Sequence, residues 1–301
     1  MKDMPLADFL NAIDTIAPHV QPNHTTIVVT GGEPLLRKDL EECGHELYKR
    51  GFPWGMVTNG YLLSQARFNA LLNAGLRSIT ISLDGLEASH NWLRANRQSF
   101  QKAVDAIALL PNVPDLKYDV VTCINPRNLG ELEQLKELLI GRGVAHWRIF
   151  TIFPIGRAKS DPALQLSPTE FKKLFDFIAT TRKESRINLN YSCEGYLGIY
   201  EGEVRDNFFF CRAGINIGSI LADGAISACP DLRDNFVQGN IYQDDFMTVW
   251  EKGFQKYRDR SWTKIDECAT CDSYRYCEGN GMHLRNDKEG KLLFCHLKML
   301  Q

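Results

Sequence analysis

Four cysteines near the C-terminus have the types and spacing to hold a metal. Cys268-Ala-Thr-Cys271-Asp-Ser-Tyr-Arg-Tyr-Cys277 reads C-x2-C-x5-C, and Cys295 follows after 17 intervening residues. Four thiolates gathered this way make a tetrahedral sulfur cage, which suits Zn²⁺ or an iron–sulfur cluster. Five of the nine cysteines lie outside this set, and two of them, Cys211 and Cys229, sit in a Gly-containing stretch of their own. A disulfide framework is the competing reading, but nothing else marks a small secreted chain stapled by disulfides.

A second group of chemistry-bearing residues lies in the first half. Thr26-Ile-Val-Val-Thr30 is a β-branched run that stops at Gly31-Gly32-Glu33-Pro34. Two glycines let the backbone approach a ligand closely, Glu33 offers a carboxylate, and Pro34 fixes the turn. Asn59-Gly60, Asp84-Gly85 and Asn125 each fall just after another strand-like run.

The elements that must position these groups alternate. Strand patterns at 26–30, 54–58, 78–83, 117–123 and 146–153 are separated by helix patterns at 39–50, 64–74, 98–109 and 129–140. Ser64 can cap the second of these helices, and Gly75 lies just past its end. Five strands alternating with helices argue for parallel βαβ units, whose ligands bind at the C-terminal ends of the strands. Residues 160–200 read as a linker with a helix near 168–183, opened by Ser167-Pro168. Beyond Cys211 come short strands at 217–221 and 225–229, read as a hairpin around Ala222-Asp223-Gly224, then a helix at 244–258. Phe208-Phe209-Phe210 reads as core shielding the cysteines.

Composition sets limits. The chain has 301 residues, 44% hydrophobic and 24% charged, with a formal net charge of −2. It is long enough to bury a substantial core, and its charge makes no electrostatic case for a nucleic-acid or membrane partner. There is no signal-peptide pattern and no apolar run of the ~18–20 residues a membrane span needs, so the chain reads as cytoplasmic. His24, His45, His90, His146 and His296 share no metal-ligand spacing and read as surface or core residues. Cys43 and Cys123 read as buried thiols.

Taken together, Gly31-Gly32-Glu33-Pro34, Thr58-Asn59-Gly60, Ser82-Leu83-Asp84-Gly85, His90-Asn-Trp-Leu-Arg94 and Gly156-Arg157-Ala158 resemble the radical S-adenosylmethionine (SAM) superfamily. The C-terminal cysteines resemble its SPASM/twitch extension, found on peptide-modifying members. The resemblance covers roughly residues 20–158 and 205–297. It implies an α/β fold: a partial parallel (β/α)6 TIM-like barrel missing its first strand, followed by a small cysteine-rich α+β SPASM/twitch-like domain. The expected divisions are 1–160 for the barrel, 161–204 for a linker helix region and 205–301 for the cysteine-rich domain.

The resemblance also implies roles. The backbone of Gly31, Gly32 and Glu33, in the turn fixed by Pro34, would bind the SAM amino group, Ser82 and Asp84 would contact its ribose and carboxylate, and Asn59 and Arg94 lie on the same rim. Cys268, Cys271, Cys277 and Cys295 match the outer auxiliary [4Fe–4S] cluster. Cys211 and Cys229 match an inner site, where Gly281 stands in place of a cysteine and Cys193 is the candidate third thiolate. One auxiliary cluster is expected. The implied partners are a peptide or protein substrate and a reductant such as flavodoxin or ferredoxin.

The family's C-x3-C-x2-C motif, whose cluster reduces SAM to a 5′-deoxyadenosyl radical, does not occur before Cys43, so no catalytic residue is assigned. Either a strand and a cysteine triplet lie upstream of Met1, or the chain does not make the radical. The cost of an exposed parallel-sheet edge favours the first. A non-catalytic peptide-binding scaffold and a zinc site at the four cysteines remain the alternatives.

Overall fold

The computed structural model describes residues 3–192, 194–286 and 288–301. It begins with helix α1 (Leu6–Ile16), then β1 (Ile27–Val29), α2 (Leu40–Lys49), β2 (Trp54–Thr58), α3 (Gln65–Asn73) and β3 (Leu76–Ser82). There follow α4 (Glu87–Leu93), α5 (Ser99–Ile107), β4 (Lys117–Ile124), α6 (Leu132–Gly141), β5 (His146–Thr151), α7 (Pro168–Glu184) and β6 (Asn188–Tyr191). All six strands are parallel and pair in the order β1-β2-β3-β4-β5-β6.

That order explains the architecture. Right-handed crossovers without a reversal of strand order place every connecting helix on one face of the sheet. The sheet then has a helix face and an inner face, as in a partial TIM-like barrel. Alternation along the strands agrees. Ile79, Ile81, Val120, Ile149 and Leu189 are fully or nearly fully buried and pack in the core cluster that also holds helix residues such as Leu135, Leu174 and Ile178. Thr80, Asp119 and Arg148 lie on the other face and bond to one another, with Thr80 Oγ1 donating to Asp119 Oδ1 at 2.6 Å and Arg148 Nε to Asp119 Oδ2 at 2.5 Å.

The helix ends follow their sequence signals. Ser64 accepts a bond from Arg67 N and caps α3. Ser167 and Glu170 form a reciprocal capping box on α7, with Pro168 in its first turn. The sixth strand arises within the stretch that reads as a linker, where Asn-Leu-Asn-Tyr offers only two apolar residues to signal it.

Beyond β6 the chain forms a small antiparallel sheet of β7 (Ser219–Ile220), β8 (Ala225–Ser227) and β9 (Gly239–Asn240). A second core gathers Phe209, Cys211, Ala213, Ile226, Phe254, Tyr257 and Met282. The single helix expected at 244–258 is instead a short turn, a π segment over Val249–Gly253 and a final turn at Gln255–Arg258. Phe209 is buried, but Phe208 and Phe210 are about half exposed, so only one of the three aromatic residues is core.

The cysteine-rich module packs against the barrel through specific contacts. Phe294 and His296 lie against Phe171 of α7, His283 sits with its ring centroid 4.1 Å from that of Phe153, and Tyr242 donates to Asp8 of α1. No helix among the described residues is long and apolar enough to cross a membrane.

Candidate cofactor site at the strand ends

β1 ends in the Gly31–Pro34 turn. Gly31 has φ +125°, a backbone conformation that L side chains rarely adopt, and a Cβ at Gly31 or Gly32 would meet no atom within 4 Å. The turn therefore presents bare backbone to open space, a cradle that a small ligand can fill. Glu33 does not point into that space as a free carboxylate. Its Oε1 accepts from Leu35 N at 3.0 Å and from Thr58 Oγ1 at 2.6 Å, and its Oε2 accepts from Asn59 N at 2.8 Å. Glu33 thus ties the end of β1 to the end of β2. Asn59 closes its own turn by accepting from Tyr61 N, and Pro34 is buried.

The loop after β3 is held more tightly. Asp84 is 1% exposed. Its Oδ1 accepts from Cys123 N on β4 at 3.0 Å, and its Oδ2 takes Arg94 Nε at 2.6 Å. Arg94, at the end of α4, keeps one third of its side chain exposed. Three further side chains lock this loop, none of them among the expected site residues. His90 Nδ1 accepts from Asp84 N, and Nε2 meets Ser99 Oγ at 3.0 Å. Asn128 donates to both Asp84 O and Cys123 O at 2.8 Å. Glu131 accepts from Leu86 N and Ser89 Oγ, and it lies so close to Gly85 (φ +126°) that an added Cβ would meet its Oε2 at 2.7 Å. Burial drives the His90 imidazole down to about 4, so it stays neutral and can accept at Nδ1. A short spacing, His90 six residues beyond Asp84, is the one signal that could have suggested this pairing.

Ser82, the last residue of β3, is half-buried, two residues before Asp84 and two beyond Thr80 on the inner-face register. Cys123 is raised strongly by burial and then by Asp84, in keeping with an inert thiol beneath the rim. Cys43 lies in α2, accepts from Arg37 Nε at 3.2 Å and is raised by burial.

The four candidate ligand cysteines are all free thiols. Cys268, Cys277 and Cys295 lie near enough to affect one another's charge. Burial pushes Cys277 up to about 12, reinforced by Cys295 and Cys268, and Cys295 is raised by burial first and further by Cys268 among its neighbours. Cys271 is exposed. Arg285, itself buried, donates to Cys268 Sγ at 3.2 Å and to the carbonyls of Gly279 and Gly290. The all-thiol donor set suits an iron–sulfur cluster or zinc by its chemistry; among the described residues no group of three or more His, Cys, Asp or Glu side chains is arranged to hold a metal ion. Of the inner set, Cys211 is buried and Cys229 half-buried in the second core. Cys193 lies outside the described residues. At Gly281, where the resemblance expects a cysteine, a Cβ would meet His283 Cε1 at 2.7 Å and the Glu194 carbonyl at 2.8 Å, so the backbone there has closed over the space.

Comparison with known proteins finds matches to both the partial barrel and the cysteine-rich module. The radical SAM superfamily model matches residues 1–139, and the SPASM iron–sulfur cluster-binding domain matches residues 211–272. The barrel part of the chain is thus similar to the radical SAM superfamily, and the cysteine-rich part behind it to SPASM domains.

The chain is similar to the AdoMet-dependent heme synthase of Methanosarcina barkeri, 26% identical over 289 residues, covering 89% of this chain and 79% of that protein. It is also similar to the mycofactocin maturase MftC of Mycolicibacterium smegmatis, 28% identical over 262 residues, covering 84% of this chain and 65% of that protein. The crystal structure of Streptococcus suis SuiB bound to precursor peptide SuiA shares the fold. Its TM-score is 0.73 at 17% identity, covering 94% of this chain and 66% of that one. SAM and [4Fe–4S] clusters are the cofactors these two domains imply.

Proposed function

We propose that the chain binds SAM against the Gly31–Pro34 turn and the Asp84–Arg94 side of the β3 loop, and uses it for radical modification of a peptide or protein side chain. The observation that carries this reading is the open, braced turn. Gly31 and Gly32 expose backbone to empty space, while the Glu33 carboxylate holds that backbone in place through Thr58 and Asn59. Preorganised backbone donors and acceptors bind a small zwitterion without paying to order a loop. Arg94, fixed by Asp84, offers a guanidinium to a carboxylate at the same rim. Asn59 and Ser82 add polar groups beside it.

Cys268, Cys271, Cys277 and Cys295 would hold one auxiliary [4Fe–4S] cluster, and Arg285 donates to the Cys268 sulfur. Bound SAM is the source of the hydrogen-abstracting carbon radical in this class. A reductant of flavodoxin or ferredoxin type completes the reading. The maturase relative supports a peptide substrate, and the heme synthase relative supports a second reading in which a tetrapyrrole side chain is modified.

The test is anaerobic incubation of the protein as its native cell makes it with SAM and dithionite, read as 5′-deoxyadenosine. Release of 5′-deoxyadenosine that is lost in Arg94→Ala supports the proposal. Unchanged SAM in a protein carrying its clusters removes catalysis and leaves a binding scaffold.

A further inference from the structure

The charged groups on the rim are not balanced, and the imbalance describes a docking surface. The carboxylates of Glu33, Asp84 and Glu131 are all used inside the rim, by Thr58 and Asn59, by Arg94 and Cys123, and by Leu86 and Ser89. Two further arginines on the neighbouring loops are not. Arg97, beyond α4, and Arg127, beyond β4, are exposed and have no ion-pair partner among the described residues. Glu87, the exposed acid on α4, pairs with neither. Arg127 lies with its guanidinium carbon 4.8 Å from the ring centroid of Trp92, which is 43% exposed. A large aromatic ring left in water and already stacked by a guanidinium is a preformed recognition element. The two rim loops are joined underneath, because Asn128, next to Arg127, bonds the carbonyl of Asp84, whose carboxylate holds Arg94.

We infer that Trp92, Arg97 and Arg127 form a docking surface for an acidic peptide segment of the substrate, flanking the residue to be modified. Charge complementarity selects the occupant, since guanidiniums without carboxylate partners on a chain of net charge −2 favour a carboxylate-rich ligand. The surface is made by exposed residues at the end of α4 and in the loops after α4 and β4, which suits an extended chain laid across it, whereas a flat macrocycle gains most where both of its faces are buried. This inference rests on the proposed peptide substrate.

The experiment is fluorescence anisotropy of the full chain with labelled oligoglutamate, oligolysine and Gly-Ser peptides of equal length, at low and high salt. Oligoglutamate alone should bind, and binding should weaken with salt. Arg97→Ala and Arg127→Ala should each weaken it about two- to fivefold, the range for exposed ion pairs, and Trp92→Ala should weaken it as well. Circular dichroism on each variant verifies folding. Oligoglutamate binding that survives in the Arg97→Ala/Arg127→Ala double variant would overturn the surface, as would equal binding of the Gly-Ser peptide. A propionate-bearing porphyrin that binds through the same arginines while oligoglutamate does not would overturn the peptide assignment. Thermal stabilisation by SAM, measured on the same samples, separates the two proposals. Peptide binding without SAM stabilisation keeps the surface and removes the cofactor reading, and the converse removes the surface alone.

Discussion

Arg94 grips one oxygen of Asp84 with two nitrogens, Nε and Nη2, each 2.6 Å from Oδ2, while the other oxygen of Asp84 is taken by the amide of Cys123. A carboxylate at 1% exposure thus spans two strand ends and aims a guanidinium that is one third exposed. The rim is held in shape before any ligand arrives.

Asp84→Asn keeps the shape but puts an amide where a carboxylate accepts from a guanidinium and a backbone N–H. Leaving such buried partners poorly matched costs about 1–3 kcal/mol, measurable by urea unfolding. SAM affinity should fall about tenfold because Arg94 is no longer fixed. Wild-type stability and SAM affinity in this variant would show that the pair is incidental.

Glu33→Gln tests the brace on the turn. Its amide nitrogen would have to face either Asn59 N–H or the Leu35 N–H and Thr58 pair, all of which now meet carboxylate oxygens. The expected loss is about 1–3 kcal/mol of stability, read by urea denaturation, with weaker thermal stabilisation by SAM. If Glu33 instead touched SAM directly, affinity would fall with stability intact.

His90 makes a pH prediction. Its folded pKa of about 4 lies below the ordinary value of 6.5, with burial as the main cause. The unfolded chain therefore takes up a proton at a higher pH than the folded one. The stability contributed by neutral His90 is fully present above pH 6.5 and is lost as the pH falls toward about 4. The slope is on the order of 1.4 kcal/mol per pH unit for one such group. His283, also lowered to about 4 by burial, adds in the same window. In His90→Gln the dependence between pH 6.5 and 4 should flatten by about one group, measured as urea midpoints across that range.

Much of the fold was legible because its strands are apolar runs ended by Gly, Asn and Asp, and its helices carry their own stops. The GGEP turn and the four-cysteine spacing were legible for the same reason, being local and chemically distinctive. β6 was not, since a short strand with alternating Asn depends on pairing with β5 rather than on its own pattern. The working partners of Glu33 and Asp84 were hidden too. A sequence shows a carboxylate, but Thr58 and Cys123 reach it only through the parallel register of neighbouring strands, and Arg94 only through the path of α4 back over the loop. The buried group of Glu194, Thr151, Tyr191 and His296 spans more than a hundred residues of chain and left no local signal.

The measurement that tests the account most directly is the metal content and visible spectrum of the full chain isolated without oxygen, compared with Cys268→Ser and Cys277→Ser. The account predicts a brown protein with broad visible absorbance and one [4Fe–4S] cluster at these cysteines, lost in both variants and kept in Cys43→Ser. A colourless protein holding a single zinc ion at the same four cysteines would contradict it.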